Sequence, residues 1–496
     1  MIQLLLQLIL SVKIFVEMKT STLVFISVSD KIKKIEMLHK YIPVQYNRLY
    51  YVYDCMDGSL YPCDKNVYFA FRKYTFSELL EKYKNNNPEG SISNFIQMLL
   101  KANSFYHCEL SQYPKVDENM VLDSLARVPN IILAVTKECN LACRYCCYGS
   151  LYVQNTTAAE WKADMDVREY LEVLLKLKIK NGNRADFQIS FYGGEPLLAF
   201  SKIQQCVTLA DQLMPDVHIT YVITTNGILL DKYMSYLVEH HFHILISLDG
   251  NEKNNQYRVF KNGIESFNIV VKNINLLYAS YPVFFQKNVN FSTVLHGKSN
   301  CLDALIFFSK WNKTPLFSNV VETDVRKNVK YYQEIFKMHE YSTDEIIKMK
   351  TNYPNVYTSL FPMKSGQCYL WSKRSIEKVD GLLSRQWNGY VTNSCFLFSS
   401  KVFVSVDGSI FLCEKSSWKF KFGFISKEGV HLYLNKINGY YKKIFDKYKS
   451  QCADCYKIKG CNCCYFAESE SVEGGKCFVS HNRAIDELEE MLNNKI

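Results

Sequence analysis

Short apolar runs alternate with amphipathic stretches through the middle of the chain. The runs have the length of buried β-strands, and the stretches between them, such as 167–177 and 202–213, place apolar residues at helical spacing. This alternation predicts an α/β fold, a parallel sheet or partial (β/α) barrel whose functional groups lie at the carboxyl ends of the strands. The predicted strands are 131–135, 187–192, 218–224, 244–248 and 289–295.

The residues ahead of these strands have a different pattern. A Tyr-rich apolar run, 49–53, precedes Asp57-Gly58 and a second short run, and Asp-Gly between two such runs is typical of a β-hairpin. Helical periodicity follows. Residues 1–128 are therefore predicted to form a small α+β domain with strands before helices, in which 49–53 is the best candidate for an exposed sheet edge.

Three further regions complete the predicted organisation. Residues 129–345 contain the strand–helix alternation. Residues 346–480 have little helical periodicity and many cysteines, which predicts a separate cysteine-rich domain. A charged helix is expected in the remaining segment, 481–496.

Composition narrows the class of protein. The chain has 496 residues, of which 48% are hydrophobic, so it can form two or three domains with sizeable cores. The net charge of +10 is too diffuse to indicate nucleic-acid binding, although it would suit an acidic peptide. Half of the 18 cysteines follow position 360 in tight groups, and a cytosolic enzyme uses such groups to bind metal, whereas a secreted protein forms disulfides.

The apolar segment 1–16 bears on whether the protein is secreted or cytosolic. It is too short to span a bilayer, and it lacks a basic n-region and a cleavage site. Translation from Met18 instead of Met1 is an alternative explanation. We expect a cytoplasmic protein without stable membrane insertion.

The strongest chemical motif directly follows the first predicted barrel strand, where Cys139, Cys143 and Cys146 form a C-x3-C-x2-C run. Three thiolates on one loop can hold three irons of a cubane cluster and leave the fourth open to a small-molecule chelate. Zinc is the alternative, but it prefers four protein ligands and no fourth lies at a familiar offset. Cys147 is adjacent to Cys146 and could not easily reach the same cluster.

The run resembles the signature loop of the radical S-adenosylmethionine (SAM) superfamily. The resemblance implies a partial (β/α)6 TIM-like barrel in which the three cysteines bind a [4Fe–4S] cluster and the open iron chelates SAM. It also implies reductive cleavage of SAM to a 5′-deoxyadenosyl radical, which abstracts hydrogen from the substrate. Tyr145, directly before the third cysteine, is implied to pack beside the adenine.

Later strand ends match the same superfamily in order. The second strand ends in Gly-Gly-Glu-Pro, the third in Thr-Asn-Gly, and the fourth in Ser-Leu-Asp-Gly, followed by Tyr-Arg. The paired glycines let the backbone approach a ligand closely, and Glu195 can accept from the SAM ammonium. By resemblance, Ser247 binds the ribose and Arg258 binds the SAM carboxylate; ordinary turns and a surface arginine are the alternatives. The predicted cofactor-binding residues are Tyr145, Gly193, Gly194, Glu195, Asn226, Ser247 and Arg258.

Cysteines near the carboxyl end form a second pattern. Cys395 and Cys413 flank Gly408, and a later group begins at Cys452. This order is similar to that of the SPASM domain, C-x9–15-G-x4-C followed by C-x2-C-x5-C-x3-C and a last cysteine. The resemblance therefore implies a SPASM domain over 346–480.

The later group departs from the SPASM pattern at Tyr465, where cysteine is expected, so Cys463 or Cys464 must substitute. Two auxiliary [4Fe–4S] clusters are implied, and the fourth ligand of the first stays open between Cys368 and a substrate thiolate. A zinc ribbon is the alternative. The implied ligands are Cys395, Cys413 and Cys464 for the first cluster, and Cys452, Cys455, Cys461 and Cys477 for the second.

This combination resembles enzymes that modify peptides and proteins, including maturases of ribosomally made peptides and a Bacteroidales-type maturase family. Several such maturases have a winged-helix-like domain that binds a leader peptide as an added strand, which the amino-terminal pattern would suit. We expect a thioether or carbon–carbon cross-link in a precursor peptide, with flavodoxin or ferredoxin as reductant. Two alternatives stay open: oxidation of Cys or Ser to formylglycine, as in anaerobic sulfatase-maturing enzymes, and a non-catalytic Fe–S or zinc scaffold.

Overall fold

The fold is described from a computed structural model. The structure describes residues 41–46, 49–54, 60–84, 90–102, 113, 115–152, 165–320, 325–326, 331–337, 341–353, 356 and 396–453.

The amino-terminal unit is a three-stranded antiparallel sheet followed by three helices. Asp64 begins the first helix by accepting hydrogen bonds from Asn66 N and Val67 N. The unit has its own core of eight buried apolar residues. The elements are β1 (Tyr41–Tyr46), β2 (Leu49–Asp54), β3 (Leu60–Cys63), α1 (Lys65–Lys73), α2 (Phe76–Lys84) and α3 (Ser91–Ala102). The core residues are Val52, Val67, Phe71, Phe76, Leu79, Phe95, Ile96 and Leu99.

The prediction that strand 49–53 lies at a sheet edge is wrong. The strand order is β1-β2-β3, so β2 is central, with Tyr51 paired to Val44 on one side and to Pro62 on the other. The physical reason is an additional strand, β1, which the apolar pattern did not reveal and which takes the expected edge position. β1 contains Pro43, a residue that sheets tolerate mainly at their edges. The predicted Asp57-Gly58 turn lies outside the described residues.

The central body is built on parallel strands, which confirms the predicted α/β class. Six strands run in parallel in the order β4-β5-β6-β7-β8-β9, and the five strands predicted from sequence each match one of the first five within a residue. The strands are β4 (Asn130–Thr136), β5 (Phe187–Gly193), β6 (Ile219–Thr225), β7 (His243–Ser247), β8 (Val289–Leu295) and β9 (Leu316–Asn319). The helices are α4 (Glu118–Ala126), α5 (Val167–Lys180), α6 (Phe200–Leu213), α7 (Leu230–Glu239), α8 (Glu252–Asn255), α9 (Phe267–Ser280), α10 (Pro282–Asn288), α11 (Cys301–Ser309), α12 (Tyr332–Phe336) and α13 (Thr343–Asn352).

Helix α4 packs with this body. Val121 and Leu125 of α4 belong to the main hydrophobic core. The buried Lys178 of α5 donates to the carbonyl oxygens of Ala126 and Val128, at 3.1 and 2.7 Å, just ahead of β4. The packing around the parallel strands thus includes residues on the amino-terminal side of the predicted boundary at 128.

The carboxyl-terminal strands extend the same sheet. β10 pairs in parallel with β4, and the following strands add in antiparallel fashion, so that the sheet has ten strands among the described residues. A helix of 20 residues follows, which the periodicity of the sequence did not predict. The elements are β10 (Val402–Val404), β11 (Ser409–Phe411), β12 (Gly423–Ser426), β13 (Gly429–Leu432) and α14 (Leu434–Ala453). The predicted helix in 481–496 lies outside the described residues.

Within the described ranges, no helix combines the length and apolar character needed to cross a membrane.

Candidate active site

The loop that carries the cysteine triplet leaves β4 at the carboxyl edge of the parallel strands. Ala142 N donates to the Val259 carbonyl at 2.7 Å, and Arg144 N donates to the Tyr257 carbonyl at 3.0 Å. These backbone bonds tie the loop to the segment that follows α8. The loop can therefore present its side chains in a fixed arrangement.

The three predicted cluster ligands are free, partly exposed thiols. Burial raises the pKa of Cys139, and it raises that of Cys143 to about 12 although the Arg258 guanidinium acts in the opposite direction. A hydrogen bond from the Cys147 thiol lowers the pKa of Cys146. Metal binding deprotonates coordinating thiols.

This donor set fits a cubane cluster with one open iron, because three thiolates on one loop can bind three of its irons and leave the fourth without a protein ligand. In the part of the chain that the structure describes, no three His, Cys, Asp or Glu side chains are close enough to share a single metal ion. A cubane binds each thiolate at a different iron.

Two glycines turn the chain at the end of β5 against the cysteine loop. A Cβ on Gly193, which has φ +129°, would lie 2.3 Å from the Thr136 carbonyl oxygen. A Cβ on Gly194 would lie 2.1 Å from the Glu138 carbonyl oxygen. The close approach that these glycines allow is thus to the backbone of the cysteine loop, and their contact with SAM stays a prediction.

Glu195 joins the carboxyl ends of β5 and β6. Its fully buried carboxylate accepts from Leu197 N at 3.1 Å, from Thr225 Oγ1 at 2.8 Å and from Asn226 N at 2.7 Å. Burial raises the pKa of Glu195 to about 7 against these hydrogen bonds. The carboxylate organises the turn that carries Asn226, and its contact with the SAM ammonium stays a prediction.

Asp249 lies two residues after β7 and is fully buried. Arg258 binds its carboxylate through two contacts, Nε to Oδ2 at 3.1 Å and Nη2 to Oδ1 at 3.0 Å, while Val294 N donates to Oδ1 at 3.0 Å. The Tyr145 hydroxyl donates to Oδ2. Burial opposes the charge, but the Arg258 guanidinium outweighs it and lowers the pKa of Asp249 to about 2. The ionised carboxylate therefore connects the cysteine loop, the end of β7 and β8.

His296 follows β8 and is buried beside this carboxylate. Its Nδ1 accepts from Lys298 N at 3.3 Å, which places the ring proton on Nε2. Nε2 lies 3.7 Å from Asp249 Oδ2, too far for a hydrogen bond, and finds no other partner among the described residues. The ring stacks on Tyr145 with centroids 5.3 Å apart and lies 4.6 Å from the ring of Tyr257.

The predicted cofactor-binding residues thus meet at one edge of the sheet. Ser247 is the last residue of β7, and Asn226 directly follows β6. The sequence reasoning gave no role to Asp249 or His296. Each lies within two residues of the carboxyl end of a strand. A polar residue directly after a predicted strand is thus the sequence signal that could have identified both.

The carboxyl-terminal prediction is only partly within the described residues. Cys413 is buried two residues after β11, with its sulfur 3.4 Å from Ser416 Oγ. Gly408, with φ +75°, forms the turn of the β10–β11 hairpin, and a Cβ there would lie 2.8 Å from the Tyr170 ring. The side chains of the other predicted auxiliary ligands lie outside the described residues: Cys395, Cys452, Cys455, Cys461, Cys464 and Cys477.

Residues 133–307, which include all three loop cysteines and Arg258, match the family model described as the radical SAM superfamily. An uncharacterized protein of Methanocaldococcus jannaschii is 30% identical over 209 residues, covering 37% of this chain and 69% of the relative.

Two named relatives are similar over shorter shares of their length. The radical SAM cyclopropyl synthase TigE of Paramaledivibacter caminithermalis is 25% identical over 252 residues, covering 46% of this chain and 52% of TigE. A serine-type anaerobic sulfatase-maturating enzyme of Klebsiella aerogenes is 31% identical over 173 residues, covering 34% of this chain and 40% of that enzyme. The chain thus matches about half or less of these two relatives.

A solved structure shows the same fold. Tagged anSMEcpe with bound AdoMet superposes with a TM-score of 0.50 at 21% identity, covering 74% of this chain and 96% of that one.

Proposed function

This chain belongs to the radical SAM superfamily, and from that premise we propose that it cleaves SAM to modify a peptide or protein substrate. A [4Fe–4S] cluster bound at the loop would supply the electron that cleaves SAM reductively. Cys139, Cys143 and Cys146 would hold its three protein-bound irons. The observation that carries this proposal is the loop of three free thiols, tied by backbone bonds to the segment that holds Arg258, with Cys143 near enough to the buried Asp249–Arg258 pair for both charges to affect its pKa.

The surrounding residues would bind and orient SAM. Arg258 uses Nε and Nη2 on Asp249, so its remaining N–H groups can bind the SAM carboxylate, with Ser247 on the ribose. Tyr145 would pack beside the adenine. Because Asp249, Glu195 and Arg258 are nearly or fully buried, electrostatic interactions at this end of the barrel are screened little by water.

A peptide or protein substrate is supported by the relatives. One relative is a sulfatase-maturating enzyme, and TigE is a cyclopropyl synthase. The separate core of the amino-terminal sheet and helices supports recognition of a precursor peptide, so we favour a thioether or carbon–carbon cross-link in a ribosomally made precursor. Formylglycine formation is the second candidate, favoured by the similarity to the sulfatase-maturating enzymes.

The carboxyl-terminal cysteines are proposed to hold two auxiliary [4Fe–4S] clusters in a SPASM domain. The β10–β11 hairpin supports this, because it places the expected glycine at a tight turn and Cys413 just beyond it. Flavodoxin or ferredoxin is the proposed source of electrons.

The test of SAM cleavage is Cys143→Ala in anaerobically reconstituted protein. We expect it to abolish reductant-dependent formation of 5′-deoxyadenosine, because three thiolates are needed to leave one open iron. Cys63→Ala is the matched control, since it removes a free thiol of the amino-terminal unit, outside the cysteine loop, and it should retain cleavage. Normal 5′-deoxyadenosine formation by Cys143→Ala would contradict the assignment.

A further inference from the structure

Three donors surround one oxygen of the Asp249 carboxylate. The Tyr145 hydroxyl and Arg258 Nε bind Oδ2, while His296 Nε2 lies 3.7 Å from it. The His296 side chain is fully buried, and its N–H has no acceptor among the described residues. A buried donor without an acceptor is unfavourable, which indicates that His296 has a partner in another state of the protein.

We propose that His296 is a positioning residue that replaces Arg258 or Tyr145 on Asp249 when SAM binds. The inference rests on the proposed function, in which Arg258 contacts the SAM carboxylate and Tyr145 packs beside the adenine. Because the SAM carboxylate would bind the remaining N–H groups of Arg258, it would compete with Asp249 for the same guanidinium and weaken the bonds of Arg258 to Asp249. A buried carboxylate that loses a donor is strongly destabilised unless another replaces it.

The His296 ring is held where this exchange requires it. The bond from Lys298 N to Nδ1 keeps the proton on Nε2, facing Asp249. The ring is packed against both Tyr145 and Tyr257, so it keeps its place when one neighbour shifts. Nε2 needs to move by less than about 1 Å to reach hydrogen-bonding distance of Oδ2.

The experiment compares His296→Phe with His296→Gln in anaerobically reconstituted protein, using calorimetric titration with SAM. The Phe variant keeps the aromatic packing but has no donor, so SAM should bind about tenfold more weakly, the loss expected for one hydrogen bond to a charged group. The Gln variant can donate and should restore most of the affinity. Iron content should match wild type in both variants, because His296 is not among the proposed cluster ligands.

His240→Phe is the control, since the His240 ring also packs on a tyrosine, with its centroid 4.0 Å from that of Tyr236, but His240 precedes β7 whereas Asp249 follows its carboxyl end. The inference would be overturned if His296→Phe bound SAM as tightly as wild type. It would also be overturned if His296→Phe and His296→Gln lost the same amount of SAM affinity.

The Asp249→Asn variant tests whether His296 acts by donating to Asp249 or by contacting SAM itself. If His296 acts through Asp249, adding His296→Phe to Asp249→Asn should weaken SAM binding no further, whereas independent losses would mean that His296 contacts SAM itself and would overturn the exchange. If Asp249→Asn does not fold, the SAM affinities of His296→Phe and His296→Gln by themselves decide whether the inference holds. Failure of the wild-type protein to bind SAM would instead refute the proposed function.

Discussion

The side-chain amide of Asn226 lies 3.7 Å from the Cys139 sulfur, Nδ2 to Sγ, and the same nitrogen donates to Asn140 Oδ1 at 2.7 Å. A donor at a cluster sulfur stabilises the reduced, more negative cluster and raises its reduction potential. The end of β6 is therefore in contact with the first predicted cluster ligand.

Asn226→Leu should lower the reduction potential of the SAM-binding cluster. Loss of a hydrogen bond worth about 1 kcal/mol corresponds to a shift on the order of 40 mV for one electron. A redox titration followed by electron paramagnetic resonance measures it. Asn183→Leu, which removes an amide bonded to the Ala126 carbonyl away from the cluster, should leave the potential unchanged. An unaltered or higher potential in Asn226→Leu would contradict the assignment.

Glu195 should make the cluster-free protein less stable as the pH rises. Burial raises the pKa of Glu195 from 4.5 to about 7. Between these values the folded protein keeps a proton that the unfolded chain has lost, so the free energy of unfolding falls across this window, by about 3 kcal/mol. Urea unfolding at about pH 5 and about pH 8 measures the difference.

Glu195→Gln cannot ionise and should remove most of that pH dependence. Glu172→Gln is the matched control, because Glu172 is paired with Lys176 near the surface and its pKa is lowered instead. A pH dependence in Glu195→Gln equal to that of wild type would show that Glu195 is not protonated in the folded protein.

Removal of the amino-terminal unit should separate recognition from SAM cleavage. The cut belongs before Tyr113, at about residue 110, because Asn438 of α14 binds Tyr113 Oη at 3.0 Å and Val116 N at 2.9 Å. We expect the truncated protein to form 5′-deoxyadenosine but to lose modification of its precursor peptide. Product mass and 5′-deoxyadenosine yield are measured together. Full modification by the truncated protein would refute the recognition role.

The metal content tests the auxiliary clusters. Three cubanes correspond to roughly twelve irons per chain, at four irons each. Cys413→Ala should lose about four irons and keep the SAM-binding cluster. Iron near four with zinc near two per chain would instead support a zinc ribbon in the carboxyl-terminal region.

The sequence by itself determined the parallel strands and the cysteine loop. β8 was predicted at its observed bounds, Val289–Leu295, because a strand buried between helices leaves an apolar run with clear ends. The spacing of Cys139, Cys143 and Cys146 is likewise local, since all three lie on one loop and no distant contact is needed to bring them together.

Only the tertiary structure decided which partners the polar residues take. The pairing of β2 on both sides depended on β1, a strand whose Pro43 and polar Gln45 weaken the apolar pattern. The position of His296 beside Asp249 depended on β7 and β8 lying in register, with Ser247 opposite Ser292. Two residues 47 positions apart meet there because a parallel sheet brings the carboxyl ends of neighbouring strands to one edge, and spacing along the chain does not encode which of their side chains will touch.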